Sequence, residues 1–192
     1  MFLLLKGFLR FVSKLLFFVK VEGYENVPED GAIIFAANHT SFWDPVVLVS
    51  CTKRRMRTMA KKELFDNWFL KPFLKIAGAF PVARGTNDIT AIKTALSALK
   101  NGEVFMIFPA GTRMKTDDAQ SAKAGVALIS SRSKTPVIPI AICGGFKPFH
   151  RVTIVFGKPM ERIPADGKKA TSEELQTFAD DIMAEIHRLG AR

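Results

Sequence analysis

Short apolar runs of strand length alternate with longer stretches of helical periodicity along most of the chain. The predicted strands are residues 32–37, 79–83, 104–108, 137–142 and 152–156, and the predicted helices are residues 44–50, 63–77, 87–100, 119–132 and a last helix from Thr171. Such alternation predicts an α/β fold with a single mixed, mostly parallel sheet covered by helices. The length of 192 residues fits one domain of this kind.

Several helix ends have recognisable signals. Thr171 and Glu174 have the spacing of a capping box, and Gly102 is expected to stop the helix before it. Asp44 followed by Pro45 predicts a helix start with the aspartate as N-cap. These signals set predicted boundaries for three of the helices.

The first twenty residues combine a wide apolar surface with basic residues and no acid. Lys6, Arg10 and Lys14 recur every four residues and form one cationic stripe on a helix. Charge-free runs such as residues 15–19 fall far short of the roughly 20 apolar residues that a spanning helix needs. A signal peptide is disfavoured because the charges interrupt its apolar region. We predict that residues 1–20 form an amphipathic, membrane-docking helical segment before an α/β domain of residues 21–192; a helix packed on the core is the alternative.

The chain has 28 basic and 18 acidic residues, a net charge of +10, which implies an anionic partner. Nucleic acid, a phospholipid surface and a phosphorylated substrate all qualify, but 17 Phe against one Tyr favour lipid. Nucleic acid explains neither the amphipathic N-terminus nor the motifs below, so we predict no nucleic-acid partner. Six basic residues within residues 53–62 form either a solvated loop or a contact for a phosphate or an acidic carrier.

The segment from Asn38 to Asp44 places a histidine and an aspartate five positions apart, directly after an apolar run. Asp44 can accept the ring N–H of His39, which fixes the tautomer and favours the imidazolium of a transition state. The second ring nitrogen can then take a proton from a substrate hydroxyl. Alone, this spacing also fits a hydrogen-bonded loop.

A second cluster of candidate residues follows the strand at 104–108. Gly111 lets the backbone approach an anion, Thr112 supplies a hydroxyl, and Arg113 supplies a guanidinium that can bind phosphate with two hydrogen bonds. Arg84, at another strand end, and Lys123 are further candidate cations. The cluster predicts a phosphate-bearing substrate.

Four blocks of the sequence resemble, in order, the motifs of the 1-acylglycerol-3-phosphate acyltransferase family. These blocks are Asn38 to Asp44, Gly78 to Arg84, Phe108 to Arg113, and Val137 to Ile140. The resemblance extends over about residues 20–160. It implies acyl transfer from acyl-carrier protein or coenzyme A to the free hydroxyl of a lysophospholipid, without a metal or other cofactor.

The resemblance also implies residue roles. His39 would be the base and Asp44 its orienting partner, while Arg84, Gly111, Thr112 and Arg113 would bind the acceptor phosphate. Pro139 falls in the block associated with the acyl donor or the shape of the site. The family's membrane-docking N-terminus agrees with the reading of residues 1–20 and implies a peripheral, monotopic protein on the cytoplasmic face of the cell membrane. The oligomeric state is left open.

The sequence departs from the family at Ala110, where a glutamate is usual. Loss of a charged hydrogen-bond partner commonly costs about 1.5–3 kcal/mol. Two alternatives therefore remain beside the expected activity. One is an acyltransferase with a different lysophospholipid or an amine lipid as acceptor, and the other is a lipid-binding homologue with attenuated catalysis.

The remaining reactive residues are predicted to have structural roles. Cys51 and Cys143 are expected to be thiols in a reducing, cytosolic setting rather than a disulfide. His150 belongs to a basic turn, and His187 lies near the end of the last helix, where it suits the helix dipole. The sequence has no metal-binding motif and no phosphate loop.

Overall fold

A computed structural model of the chain describes residues 2–82, 89–111, 122–161 and 169–191. Within these ranges, seven strands form one sheet in the order β1-β7-β6-β2-β5-β3-β4. The strands are β1 (Phe18–Glu22), β2 (Ile33–Ala37), β3 (Met56–Lys61), β4 (Ala79–Val82), β5 (Val104–Ile107), β6 (Val137–Cys143) and β7 (Arg151–Phe156). All neighbours pair in parallel except β6 and β7, so the predicted mixed, mostly parallel sheet is confirmed.

Six α-helices lie within the described part of the chain. They are α1 (Phe2–Leu16), α2 (Trp43–Cys51), α3 (Leu70–Ile76), α4 (Ile89–Lys100), α5 (Gly125–Ser133) and α6 (Ser172–Gly190). Two short 3₁₀ turns, Tyr24–Asn26 and Lys62–Phe65, complete the regular structure there. None of these helices is both long and apolar enough to cross a bilayer.

The sheet separates two layers of core. On one face, alternate residues of β2 such as Ile33 and Phe35 pack beneath α1 and α2. On the other face, Ile34 and Ala36 meet side chains of α4, α5 and α6. β2 is buried along its whole length, as expected for a central strand of a sheet covered on both faces. The carboxyl ends of β2 and β5 are neighbours, because Ala36 pairs with Ile107.

Several predicted boundaries hold. The capping box is present, with Glu174 N–H donating to Thr171 Oγ1 and Thr171 N–H donating to Glu174. Gly102 ends α4 with a φ of 73°, and its N–H donates to the carbonyl of Leu99. The left-handed conformation at this position explains the glycine.

Other predicted elements were wrong in extent. The helix predicted over residues 1–20 ends at Leu16, and residue 20 lies within β1, whose pairing with β7 overrides the helical pattern. β3 was missed because basic residues obscure its strand alternation. The helix predicted over 63–77 is a 3₁₀ turn and the short α3. The helix predicted from residue 119 begins at Gly125, and residues 119–121 fall outside the described ranges.

Candidate active site

His39 and Asp44 form a buried pair just beyond the carboxyl end of β2. The imidazole Nδ1 lies 2.7 Å from Asp44 Oδ2, so the expected contact is present. His39 is 7% exposed and Asp44 is fully buried. Because an ionised carboxylate can only accept, Nδ1 carries the hydrogen, and the lone pair of the neutral ring lies on Nε2. This is the tautomer that a proton acceptor needs.

The carboxylate of Asp44 also organises the loop that holds His39. Its Oδ2 accepts hydrogen bonds from the backbone N–H of Thr40 at 2.6 Å and of Ser41 at 2.7 Å. The predicted N-cap role of Asp44 is therefore wrong, because its oxygens bond to residues before α2 rather than to N–H groups inside the helix. Ser41 takes over that function in part, since its Oγ accepts from the N–H of Trp43 at 3.2 Å. Asp44 thus fixes both the imidazole and the loop beneath it.

Asn38 joins the end of β2 to the end of β6. Its side-chain amide donates to the carbonyl of Ile142 at 2.9 Å and accepts from the N–H of Ile142 at 2.7 Å. The side chain thereby imitates one more backbone pair after the β2–β6 ladder has ended. This anchor precedes His39 directly and restrains where the imidazole can lie. The sequence signal for this anchor is an amide side chain directly after a buried strand.

Phe108 covers one face of the imidazole. The two ring centroids are 4.1 Å apart, and the planes differ by 18°. The contact follows from the sheet, because the pairing of Ala36 with Ile107 places the residues after β2 beside those after β5. No individual role was predicted for Phe108 from the sequence. Its ring lies against a face of the imidazole and not against the edge that carries the nitrogens.

A tight turn follows Phe108. The N–H of Gly111 donates to the carbonyl of Phe108 at 2.9 Å, with Pro109 at the turn position that favours proline. Gly111 has a φ of 73°, and a Cβ there would lie 2.9 Å from both Cε and Nζ of Lys123. The N–H of Lys123 donates to the carbonyl of Pro109 at 3.0 Å. The turn therefore requires glycine and holds a lysine ammonium group close to its backbone.

The remaining predicted site residues divide into two groups. Ala110, the departure from the family motif, lies buried within the turn. Arg84, Thr112 and Arg113 fall outside the described ranges, so their predicted phosphate contacts stay predictions. The structure pairs His39 with Asp44 and Gly111 with Lys123, and Phe108 connects the two pairs, because it stacks on His39 and begins the turn of Gly111.

Pro139 is placed away from this group. Neighbouring Ile138 and Ile140 face the core beneath α1 and α2, so the ring of Pro139 points to the opposite face. There a Cβ on Gly157 would lie 2.8 Å from Pro139 Cγ and 2.8 Å from Leu189 Cδ1. Pro139 lies where the β6–β7 ladder is interrupted, between its last pair and a bridge from Val137 to Met160. A strand interruption tolerates the missing N–H of proline.

The cysteines show no sign of nucleophilic activation. Cys51 and Cys143 are both free thiols. Burial raises the pKa of the Cys51 thiol above its ordinary value and also raises that of Cys143. A raised pKa lowers the thiolate fraction near neutral pH, which disfavours nucleophilic attack. His150 and His187 are exposed, as expected.

The arrangement is that of an α/β enzyme able to remove a proton from a hydroxyl at the carboxyl ends of its strands. The chain belongs to the acyltransferase family, whose sequence pattern, described as Acyltransferase, matches residues 18–143. This match contains the His39–Asp44 pair, the turn at Gly111 and the whole of β6.

Two relatives show how far the similarity extends. The chain is 34% identical to the 1-acyl-sn-glycerol-3-phosphate acyltransferase of Streptococcus pneumoniae over 168 residues, which are 84% of this chain and 61% of that enzyme. It is 36% identical to the enzyme of the same name from Bacillus subtilis over 150 residues, which are 75% of this chain and 74% of that enzyme. The chain therefore spans less than two-thirds of the pneumococcal relative.

The fold has a counterpart among solved structures. The crystal structure of the 1-acyl-sn-glycerophosphate (LPA) acyltransferase PlsC from Thermotoga maritima superposes with a TM-score of 0.78 at 24% identity. The alignment covers 100% of this chain and 80% of that structure. This likeness supports the α/β architecture and its N-terminal helix.

Proposed function

We propose that this protein is a 1-acyl-sn-glycerol-3-phosphate acyltransferase. It transfers an acyl chain from an acyl thioester, carried by acyl-carrier protein or coenzyme A, to the sn-2 hydroxyl of lysophosphatidate and forms phosphatidate. The observation that carries the proposal is the buried His39–Asp44 pair, whose imidazole stacks on Phe108 at the start of the turn that holds Gly111 and Lys123. Lysophosphatidate is proposed as the acceptor because both bacterial relatives are named 1-acyl-sn-glycerol-3-phosphate acyltransferase.

The reaction needs no acyl-enzyme intermediate and no cofactor. The acceptor hydroxyl gives its proton to Nε2 of His39 as its oxygen attacks the thioester carbonyl carbon. Asp44 stabilises the imidazolium that forms, because its Oδ2 already accepts from Nδ1. The tetrahedral intermediate collapses, the carbon–sulfur bond breaks, and the thiolate takes the proton back from the imidazolium. The products are the ester and a free thiol, and His39 is neutral again.

In this proposal the turn that contains Gly111 holds the phosphate of the acceptor. Lys123 lies against Gly111, so its ammonium group can offset one phosphate charge there. Thr112 and Arg113 continue the chain directly from this turn, and Arg84 follows β4, so all three supply further phosphate contacts in this proposal. A fixed phosphate places the glycerol hydroxyl at a constant distance from the base, and such positioning lowers the entropic part of the barrier.

The acceptor and product are lipids, and α1 provides contact with their membrane. Leu4, Phe8, Phe11 and Leu15 of α1 are exposed and fall on one side of the helix. Lys6, Arg10 and Lys14 form a separate stripe, while Leu9 and Leu16 pack on the core. An exposed apolar stripe beside a basic one is typical of a helix at a bilayer surface. In this proposal the protein is peripheral and lies on the cytoplasmic face of the membrane.

A different acceptor is the second candidate function, and Ala110 favours it. A buried methyl group at this position replaces the usual carboxylate. The site therefore lacks a charged group that could accept a hydrogen bond from a polar acceptor. An acceptor with fewer hydroxyls, or an amine lipid, would tolerate that loss better than lysophosphatidate.

A product assay by mass spectrometry separates these functions. The protein is incubated with one acyl thioester and a panel of lysophosphatidate, other lysophospholipids and an amine lipid. Phosphatidate as the dominant product supports the proposal. A dominant product from another acceptor establishes the second candidate. No acyl transfer to any acceptor, with a protein that still binds the lipids, would show an attenuated lipid-binding homologue.

A further inference from the structure

Four large apolar side chains cluster on the surface around the start of α3. Trp68 is 74% exposed, Phe69 61%, Phe73 51% and Leu70 44%. A helix was predicted over residues 63–77, but α3 has no buried residue. A monomeric soluble protein rarely leaves such a contiguous apolar group in water without a partner. We call these four residues the α3 patch.

Local contacts hold the α3 patch in its outward position. The side-chain carbonyl of Asn67 accepts from the N–H of Phe69 at 3.0 Å and from the N–H of Leu70 at 3.2 Å. The rings of Trp68 and Phe69 pack against each other, with centroids 3.6 Å apart. The bend before α3 therefore presents two adjacent aromatic rings as one surface feature.

Two lysines, Lys71 and Lys75, lie in α3 next to residues of the α3 patch. Arg57, Lys62, Lys71 and Lys75 line a cavity of about 460 Å³ together with a single acid, Asp66. Lys71 and Lys75 belong to α3 itself, between and after the apolar residues of the patch. Aromatic rings beside lysines are typical of protein surfaces at the boundary between lipid tails and anionic headgroups.

Sheet topology puts α3 on the same side of the protein as α1. The connections from β2 through α2 to β3, and from β3 through α3 to β4, both advance in one direction along the sheet. Right-handed crossovers place both helices on one face, and α1 packs against α2 on that face. α1 and α3 therefore lie over the same face of the sheet.

We propose that the α3 patch is a second membrane contact, separate from α1, that inserts Trp68, Phe69 and Phe73 into the interface of an anionic phospholipid bilayer while Lys71 and Lys75 contact its headgroups. Two contacts on one face fix how the protein is rotated on the bilayer, whereas a single helix leaves rotation about its axis free. The inference goes beyond the acyl-transfer reaction and depends on no step of it.

Tryptophan fluorescence tests the proposal on the full chain. The protein has two tryptophans, so Trp43→Phe leaves Trp68 as the single reporter. Vesicles of phosphatidylcholine with phosphatidylglycerol should shift the Trp68 emission to shorter wavelength, and brominated lipid should quench it. Sedimentation of the same samples reports total binding, including binding through α1. An unshifted, unquenched Trp68 in protein that sediments with the vesicles, or no sedimentation at all, overturns the proposal.

Substitutions give a second test. Trp68→Ser with Phe69→Ser should weaken vesicle binding roughly tenfold or more, since two interfacial rings lose their contact. Ile89→Ser is the matched control, because Ile89 is 64% exposed on α4, which covers the opposite face, and it should leave binding unchanged. Lys71→Gln and Lys75→Gln should each weaken binding to anionic vesicles about fivefold. Equal binding by the serine variants and the wild type, or a dimer that Trp68→Ser dissociates, would contradict a membrane contact.

Discussion

The ring of Phe108 lies nearly parallel to the imidazole of His39, with 4.1 Å between centroids. The two residues come from different strands and meet because β2 and β5 are neighbours whose carboxyl ends are in register. Asp44 holds one edge of the imidazole while Phe108 covers one face. Together they restrain the orientation of the ring, with Nδ1 bonded to Asp44. The proposed base is therefore fixed before any substrate binds.

Replacing Phe108 tests the value of this stacking. Phe108→Leu keeps apolar volume but removes the flat contact, so the imidazole gains rotational freedom. An aromatic pair contributes about 0.5–1.5 kcal/mol, so kcat should fall by up to roughly tenfold. KM for the acceptor should hardly change, because Phe108 does not contact the phosphate in the proposal. Steady-state kinetics measure kcat and KM of this variant. An unchanged kcat would show that the stacking does not position His39.

Removing the Asn38 amide should affect both stability and turnover. Asn38→Ala leaves the N–H and the carbonyl of Ile142 without their partner. Loss of these bonds should cost about 1–3 kcal/mol of unfolding free energy and lower Tm by roughly 3–10 °C. The kcat should also fall, because Asn38 anchors the backbone just before His39.

Asn26→Ala is the matched control for Asn38→Ala. Asn26 likewise donates its side-chain amide to a backbone carbonyl, that of Phe156 at 3.0 Å, at a place remote from His39. It should lower Tm without lowering kcat. If both variants lose turnover in proportion to Tm, Asn38 has only a stabilising role.

Neutralising Asp44 should separate its electrostatic role from its structural one. In Asp44→Asn, the amide oxygen can still accept from the backbone of Thr40 and Ser41, but the charge that stabilises the imidazolium is lost. We expect kcat to fall by about 10³–10⁴, with the fold retained by circular dichroism. Asp44→Ala should lose stability as well, since two backbone N–H groups then lack an acceptor. A kcat within threefold of the wild type in Asp44→Asn would contradict the pairing role.

The buried methyl group of Ala110 leads to a gain-of-function prediction. In Ala110→Glu, the new carboxylate would lie one residue from Gly111, against which Lys123 packs, so a cationic partner is within the same turn. Activity on lysophosphatidate should rise by roughly 10–150-fold, the equivalent of about 1.5–3 kcal/mol. Ala110→Gln is the uncharged control and should gain much less. An equal or lower kcat/KM in Ala110→Glu would indicate that the natural acceptor is another lipid.

Prediction from sequence succeeded where one strong pattern was enough. The buried run of β5, the capping box at Thr171 and the proximity of His39 to Asp44 all depend on residues close in sequence. Prediction failed where tertiary pairing decided the outcome. Residues 18–20 were predicted to end the N-terminal helix, but pairing with β7 makes them part of a strand. β3 was not predicted because its basic residues interrupt the apolar alternation of a strand.

The site and surface illustrate the same limit. The contact of Phe108 with His39 depends on strand order, which no local pattern encodes. The spacing around Trp68 and Phe73 predicted a helix, but Trp68 and Phe69 precede α3, which begins at Leu70. Whether such residues face the core or the solvent depends on what packs against α3, and the structure shows them exposed.

The most direct test of the account is acyl transfer by His39→Ala, measured as phosphatidate formed from lysophosphatidate and an acyl thioester. His187→Ala is the matched control, because His187 is exposed on α6. The account predicts that His39→Ala loses turnover by at least about 10², keeps its fold and vesicle binding, and regains part of its rate with added imidazole, while His187→Ala keeps full activity. Turnover by His39→Ala at the wild-type rate would contradict the assignment of His39 as the base.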